Sequence, residues 1–238
     1  MILAGKVRCE GQVADKPGRN VSEDALVEVI EALHPYVGRG GLKLEKALDQ
    51  FNVSPQNKFA VDIGASTGGF TDCLLQRGAR RVCAVDVGYG QLAWKLQSDP
   101  RVQMLDRTNA RALTVEQIGE PADLAVIDVS FISLQLILPA VWRTLDPEGD
   151  ILALVKPQFE VGKDEVEHQG IIKDTGKHKK VLEVLQAFVE KNGWVICGLT
   201  RSPITGQKGN KEFLIHCVRA GRAEAISSNA ILEAVSSE

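Results

Sequence analysis

No apolar run approaches the roughly 18 residues that a membrane-spanning helix needs; runs such as Ile151-Leu-Ala-Leu-Val155 fall far short of it. The amino terminus has neither the basic segment nor the apolar core of a secretion signal, so the expected location is cytoplasmic. Cysteine is scarce and odd in number. Cys9, Cys73, Cys83, Cys197 and Cys217 show no metal-ligand spacing, so neither a disulfide framework nor a metal centre is expected. Positive charge is not in excess either: 28 Lys and Arg stand against 31 Asp and Glu, which rules out a global basic field drawing the chain to nucleic acid. Any RNA contact is left to local groups, namely Arg39/Lys43/Lys46, Lys173 with Lys177 to Lys180, and Arg201/Lys208/Lys211, each of which also reads as a solvated face. Repeats and low-complexity blocks are lacking.

What is present is an alternation of short strands and helices. At 238 residues there is room for one full α/β domain and a small appendage. Residues 1–20 turn and alternate like a β-hairpin, and residues 21–37 read as a polar connector. A Gly-Arg-Gly-Gly loop from Gly38 then opens a helix with apolar residues at 44, 47, 48 and 51. Strands are expected near 58–62, 81–86, 102–105, 123–128, 150–155, 194–200 and 212–218, and helices near 69–77, 90–97, 113–118, 133–144 and 175–191. Five apolar strands separated by helices predict a parallel sheet covered on both faces. The last two strands are joined only by residues 202–210, too short for a crossover helix, so they must form an antiparallel hairpin. A seven-stranded, mostly parallel sheet with that terminal hairpin is the layout of the class I methyltransferase (Rossmann-like) fold. It is expected over residues 38–220, with 221–238 as a tail that is either a frayed helix or disordered.

The stretch Val61-Asp-Ile-Gly-Ala-Ser-Thr-Gly-Gly-Phe70 reads as a buried strand ending in an acid, a glycine-rich turn and a helix start. Glycines there let backbone N–H groups approach a ligand closely. A second acid, Asp86, ends the next strand at the spacing where a carboxylate grips a ribose. The leading Asp62 and the Asp-x-Gly-x-x-x-Gly-Gly spacing resemble an S-adenosylmethionine site rather than a dinucleotide site. Two rival readings remain. Gly64-Ala-Ser66-Thr-Gly68 also fits the nucleophile elbow of α/β hydrolases, with His168, His178 or His216 as the partner histidine, though no His-Gly-Gly-type oxyanion loop precedes it. The other rival is a turn that merely joins strand to helix.

Lys156 follows the buried run Leu154-Val155, where a lysine is costly unless paired or set in a cleft. Asp128 ends the neighbouring strand at the edge where open α/β sheets bind ligands. Glu212 enters the last strand, and Lys43 sits in the helix after Gly40-Gly41. Two amines and two carboxylates suit the deprotonation of an alcohol. The prolines of amino-group methyltransferases are missing after Asp128, and no cysteine nucleophile follows the fourth or fifth strand.

Lys43, Asp128, Lys156 and Glu212, in that order, resemble the tetrad of the FtsJ-type ribose 2′-O-methyltransferases. The wording is similar to the TlyA (hemolysin A-like) ribosomal RNA methyltransferases along nearly the whole chain. The carrying segments are Ala4-Gly-Lys-Val, Lys16-Pro-Gly18, Tyr36-Val-Gly-Arg-Gly-Gly-Leu-Lys-Leu44, Asp62 to Phe70, Arg107-Thr-Asn-Ala-Arg111, Asp128-Val-Ser-Phe-Ile-Ser133, Val155-Lys-Pro-Gln-Phe-Glu160 and Gly209-Asn-Lys-Glu-Phe213. The resemblance implies methylation of a cytidine ribose in ribosomal RNA, alone or within a ribosomal subunit, with S-adenosylmethionine as cofactor. It makes Lys156 the base, with Asp128, Lys43 and Glu212 positioning it and the substrate. Asp62, Gly64, Ser66, Gly68, Gly69 and Phe70 would hold the methionine and ribose portions, Asp86 the ribose hydroxyls, and Asn109 or Asp106 the adenine. Residues 1–20 correspond to the last hairpin of an S4-like RNA-binding module. A base or small-molecule acceptor, or a cytolytic role, is the alternative; a homodimer is left open.

Overall fold

The computed structural model describes residues 2, 7–14, 16, 18–29, 34–162, 170–206 and 209–236. They form two compact units, Met1–Tyr36 and Val37–Glu238.

In the first unit, β1 (Val7–Cys9) pairs with β2 (Gln12–Val13) in the expected hairpin, and β3 (Val27–Val29) pairs with the other edge of β1, all antiparallel. The connector reading of residues 21–37 is corrected here. Val27, Glu28 and Val29 are all exposed, so no alternation of buried and solvated faces betrays the strand. Val7, Cys9 and Ala14 form the small core. Ala4 to Lys6, part of the expected hairpin, lie outside the described residues.

In the second unit, α1 (Gly40–Gln50), β4 (Phe59–Ile63), α2 (Gly69–Gln76), β5 (Arg81–Val85), α3 (Trp94–Gln97) and β6 (Val102–Leu105) come first. A 3₁₀ turn (Ala110–Ala112), α4 (Val115–Ile118), β7 (Ala122–Ile127), α5 (Leu134–Thr144), β8 (Leu145–Val155) and α6 (Pro157–Glu160) follow. The unit closes with α7 (Thr175–Lys191), β9 (Trp194–Arg201), β10 (Phe213–Arg219) and α8 (Ser228–Ser236). The sheet order is β6-β5-β4-β7-β8-β10-β9, with only β10 antiparallel to its neighbours. This is the expected class I methyltransferase layout. Every residue of β4 is buried and β7 is nearly so, which is why these strands read as unbroken apolar runs. The chain winds outward from β4 in one direction and from β7 in the other. Their carboxyl ends therefore flank the switch-point crevice where such sheets take ligands.

Two expectations need correction. Ala93 is extended, with φ −60° and ψ 140°, so α3 begins at Trp94 and the expected helix from 90 is reduced to its last turn. The tail holds the expected helix, but docked rather than frayed. Ile231, Ala234 and Val235 of α8 are buried in the main core. A three-residue apolar stripe in a polar segment was too weak a periodic signal to predict that docking. Ile231→Ala should therefore destabilise the fold by about 2–4 kcal/mol in urea unfolding. A loss within about 0.5 kcal/mol would mean that the helix does not hold the core.

Candidate active site

Strand ends set the site. β7 stops at Ile127, so Asp128 emerges at the carboxyl edge, its N–H held by the Ile63 carbonyl at 3.0 Å. β8 stops at Val155 and delivers Lys156 beside it. Phe213 of β10 pairs with Val155, and continuing that antiparallel register brings Glu212 level with Lys156. Lys43 lies in the first turn of α1, whose first residue comes so close that a Cβ on Gly40 would sit 3.9 Å from Asp128 Oδ2.

The side chains meet as two ion pairs. Lys156 Nζ is 2.6 Å from Asp128 Oδ1, close as an ion pair but off the line of a hydrogen bond, and it donates to Ser130 Oγ at 2.9 Å. Lys43 Nζ donates to Glu212 Oε2 at 2.5 Å. Glu212 is only 3% exposed and each lysine 10%. An unpaired charge at such depth would cost several kcal/mol, and pairing is what keeps four ionisable groups here. Lys43 therefore leaves the surface group Arg39/Lys43/Lys46, a correction to that expectation.

On the neighbouring strands, Asp62 is fully buried and Asp86 follows β5. Thr71 Oγ1 donates to Asp62 Oδ2 at 2.6 Å, while Asp62 Oδ1 has no partner among the described residues. Burial, followed by the charges of Asp128 and Asp86, outweighs the Thr71 hydrogen bond and pushes the Asp62 carboxyl up to about 7. A dry carboxylate oxygen with an empty valence fits a cationic group, as the positively charged methionine end of S-adenosylmethionine requires. Asp86 accepts from the N–H groups of Ser66 at 2.8 Å and Gly88 at 2.7 Å, which aims its carboxylate over the glycine turn. Asp106 Oδ2 accepts from Gly90 N–H at 2.9 Å, and Asn109 caps the 3₁₀ turn by accepting from Arg111 N–H at 3.1 Å.

The turn glycines also do work for packing. Gly64, at φ 85°, lies where a Cβ would run into the Asp128 carbonyl oxygen, so its bareness lets β4 and β7 end side by side. Gly68, at φ 96°, caps α2, and a Cβ there would collide with Leu96 and press on Leu92 at 2.8 Å. Gly69 begins α2, and Phe70 is 4% exposed with its ring against Gly40, a core position.

Several residues escaped the sequence reading. Thr71 and Ser130 steady the key acid and amine, and both could have been suspected from their closeness in sequence to Asp62 and Asp128. Phe131 is 86% exposed at φ 63°, a strained setting for an aromatic residue, with its ring centroid 5.0 Å from that of Phe159. No pattern in sequence announces that. The elbow reading finds no support in the described histidines: His178 Nε2 meets the Ile172 carbonyl and His216 Nε2 meets Asp150. His168 and Lys208 lie outside the described residues.

Comparison with known proteins gives the family. Residues 36–219 match the FtsJ-like methyltransferase family. The chain is similar to the 16S/23S rRNA (cytidine-2′-O)-methyltransferase TlyA of Mycobacterium tuberculosis, at 44% identity over 236 residues, or 99% of this chain and 88% of that protein. It is also similar to hemolysin A of Brachyspira hyodysenteriae, 39% identical over 219 residues, or 92% of this chain and 91% of that protein. The solved structure of a hemolysin candidate from Streptococcus thermophilus superposes with a TM-score of 0.85 at 44% identity, covering 98% of this chain and 86% of that one.

The buried acid has a signature in pH. Its folded value lies above the unfolded one, so the folded state holds the extra proton between about 4 and about 7, and stability drains away as pH rises through that window. Asp62→Asn has no charge to bury. Thermal unfolding should show the variant gaining on the parent from pH 5 to pH 8 by an amount on the order of a few kcal/mol. Parallel curves would mean that Asp62 is already ionised in the fold.

Proposed function

The chain belongs to the FtsJ-like methyltransferase family and takes S-adenosylmethionine as its methyl donor, and from that premise we propose that it methylates a ribose 2′-hydroxyl, that of a cytidine, in ribosomal RNA. The observation that carries this reading is the convergence of two lysine–carboxylate pairs at the carboxyl edge of the sheet. An alcohol is a poor nucleophile until its proton is taken, whereas a nitrogen acceptor with a free lone pair needs little beyond alignment. A site that buries two amines and one acid, with a second acid half-buried beside them, fits the harder acceptor.

Lys156 takes the hydroxyl proton, at an Nζ fixed by Asp128 and Ser130. Lys43, locked to Glu212, adds positive charge near the oxygen that becomes negative. Asp62 receives the cationic methionine end, Asp86 the ribose diol, and Asp106 or Asn109 the adenine, with Gly64, Ser66, Gly68, Gly69 and Phe70 shaping the turn beneath. The bound cofactor supplies an electrophilic methyl group whose transfer neutralises its sulfonium. Phe131, exposed beside Asp128 and backed by Phe159, offers a face on which a nucleobase can stack, which favours a nucleic acid over a small alcohol. We assign residues 1–20 to the end of an S4-like RNA-binding module and place the reaction in the cytoplasm.

Lys156→Ala should lower the turnover of methyl transfer about 10²- to 10⁴-fold while calorimetry finds cofactor affinity unchanged within about twofold. Asp62→Ala should do the reverse and weaken cofactor binding first. Parent rates in both variants would make the assignment wrong.

A further inference from the structure

A second cluster of reactive side chains lies toward the amino end of β8, away from the paired lysines, and methyl transfer makes no use of it. β9 and β10 pair in register until His216, which faces Gly198; Cys217 then faces Ile196, so Cys197 is the extra residue of a bulge. A bulge turns a side chain out of the ordinary alternation. Here it brings Cys197 Sγ to 3.4 Å from His216 Nδ1, with the His216 carbonyl oxygen at 3.5 Å. The other ring nitrogen, Nε2, lies 3.1 Å from Asp150 Oδ1. Asp150 is held in turn by Lys58 Nζ at 3.1 Å and Arg222 Nη2 at 3.4 Å, and Arg222 reaches Glu148 at 3.1 Å. The imidazole stacks on Phe51 at 5.7 Å between ring centroids, and Gly198 has no side chain because a Cβ would meet that same phenyl ring at 2.6 Å.

We propose that Cys197 is an activated thiol, a modification site at which small disulfides exchange. Sulfur, imidazole and carboxylate in line are the means by which a cysteine is held as a nucleophile: one ring nitrogen serves the sulfur while the carboxylate fixes the other. Burial draws the His216 pKa down, but its bonds to Asp150 and Cys197 outweigh that and push it up to about 9, so the ring carries two N–H groups at neutral pH. One points at Asp150 and the other at the sulfur. Cys197 is half-buried, within reach of a small reagent, whereas Cys9, Cys73, Cys83 and Cys217 are buried. Burial pushes Cys83 up to about 12, and Cys217, beside Cys197 in the sheet, is pushed up as well.

In the reaction the Cys197 thiolate attacks one sulfur of a disulfide. The old S–S bond breaks, a mixed disulfide forms at Cys197, and the departing sulfur leaves with the electron pair and takes a proton from His216 or water. The disulfide is the oxidant, and no other reagent is required.

Oxidised glutathione and peptide mass spectrometry test this on the intact protein. At pH 6.5 an ordinary thiol is about 1% ionised. Cys197 in the folded protein should form its mixed disulfide at least about tenfold faster than the same residue in the urea-unfolded chain, and ahead of the other four cysteines. Its rate should fall off only at pH values well below the ordinary thiol range. His216→Asn and Asp150→Asn should remove the advantage at pH 6.5 and leave the rate at pH 9.5 close to the parent's. A folded-state rate no greater than the unfolded one, or a midpoint near 8.5 in the parent, overturns the proposal even if neither variant folds. So does a His216→Asn protein that folds and keeps the parent's rate at pH 6.5.

Discussion

At the carboxyl edge of the sheet, charge is held nearly dry. Asp62 is wholly buried, Glu212 almost so, and the two lysines keep a tenth of their surface. The paired groups are tolerable because of named partners, Lys43 for Glu212 and Asp128 with Ser130 for Lys156, whereas Asp62, with Thr71 beside it, is pushed up to about 7 by burial. Asp62 Oδ1 is left without a hydrogen-bond partner among the described residues. The surrounding structure follows from bringing these groups together. β4 and β7 can end side by side because Gly64 is bare, and α1 can reach Asp128 because it begins with glycine. β10 must run antiparallel to bring Glu212 level with Lys156.

Much of this was legible in the sequence, for a physical reason. A strand buried on both faces leaves an uninterrupted apolar run, so β4, β5 and β7 are legible to within a residue at either end, and β8 only from Asp150, because its first half is polar and partly exposed. A charged residue at the end of such a run stands out, which is how Asp62, Asp86, Asp128 and Lys156 were found. Lys43 and Glu212 could be named but not joined, since 169 residues separate them and only the sheet order brings them together.

What the sequence concealed is equally instructive. β3 has no buried face, so its three residues look like any polar linker. The docking of α8 rests on a stripe too short to register as periodic. Phe131 became an exposed aromatic through a backbone twist, and the bulge that sets Cys197 against His216 is a slip of one residue between two strands. Features made by a single backbone irregularity leave no trace in spacing or composition. The chemistry outside the methyl-transfer edge lies in that class.

We propose that the paired lysines serve a ribose hydroxyl. That proposal is tested most directly by incubating the protein with intact ribosomal subunits and S-adenosylmethionine labelled in the methyl group, then digesting the RNA to nucleosides. Label in 2′-O-methylcytidine is the result this account predicts. Label in a base-methylated nucleoside would contradict it, because a nitrogen or carbon acceptor has no use for the two ion pairs that Lys43 and Lys156 make.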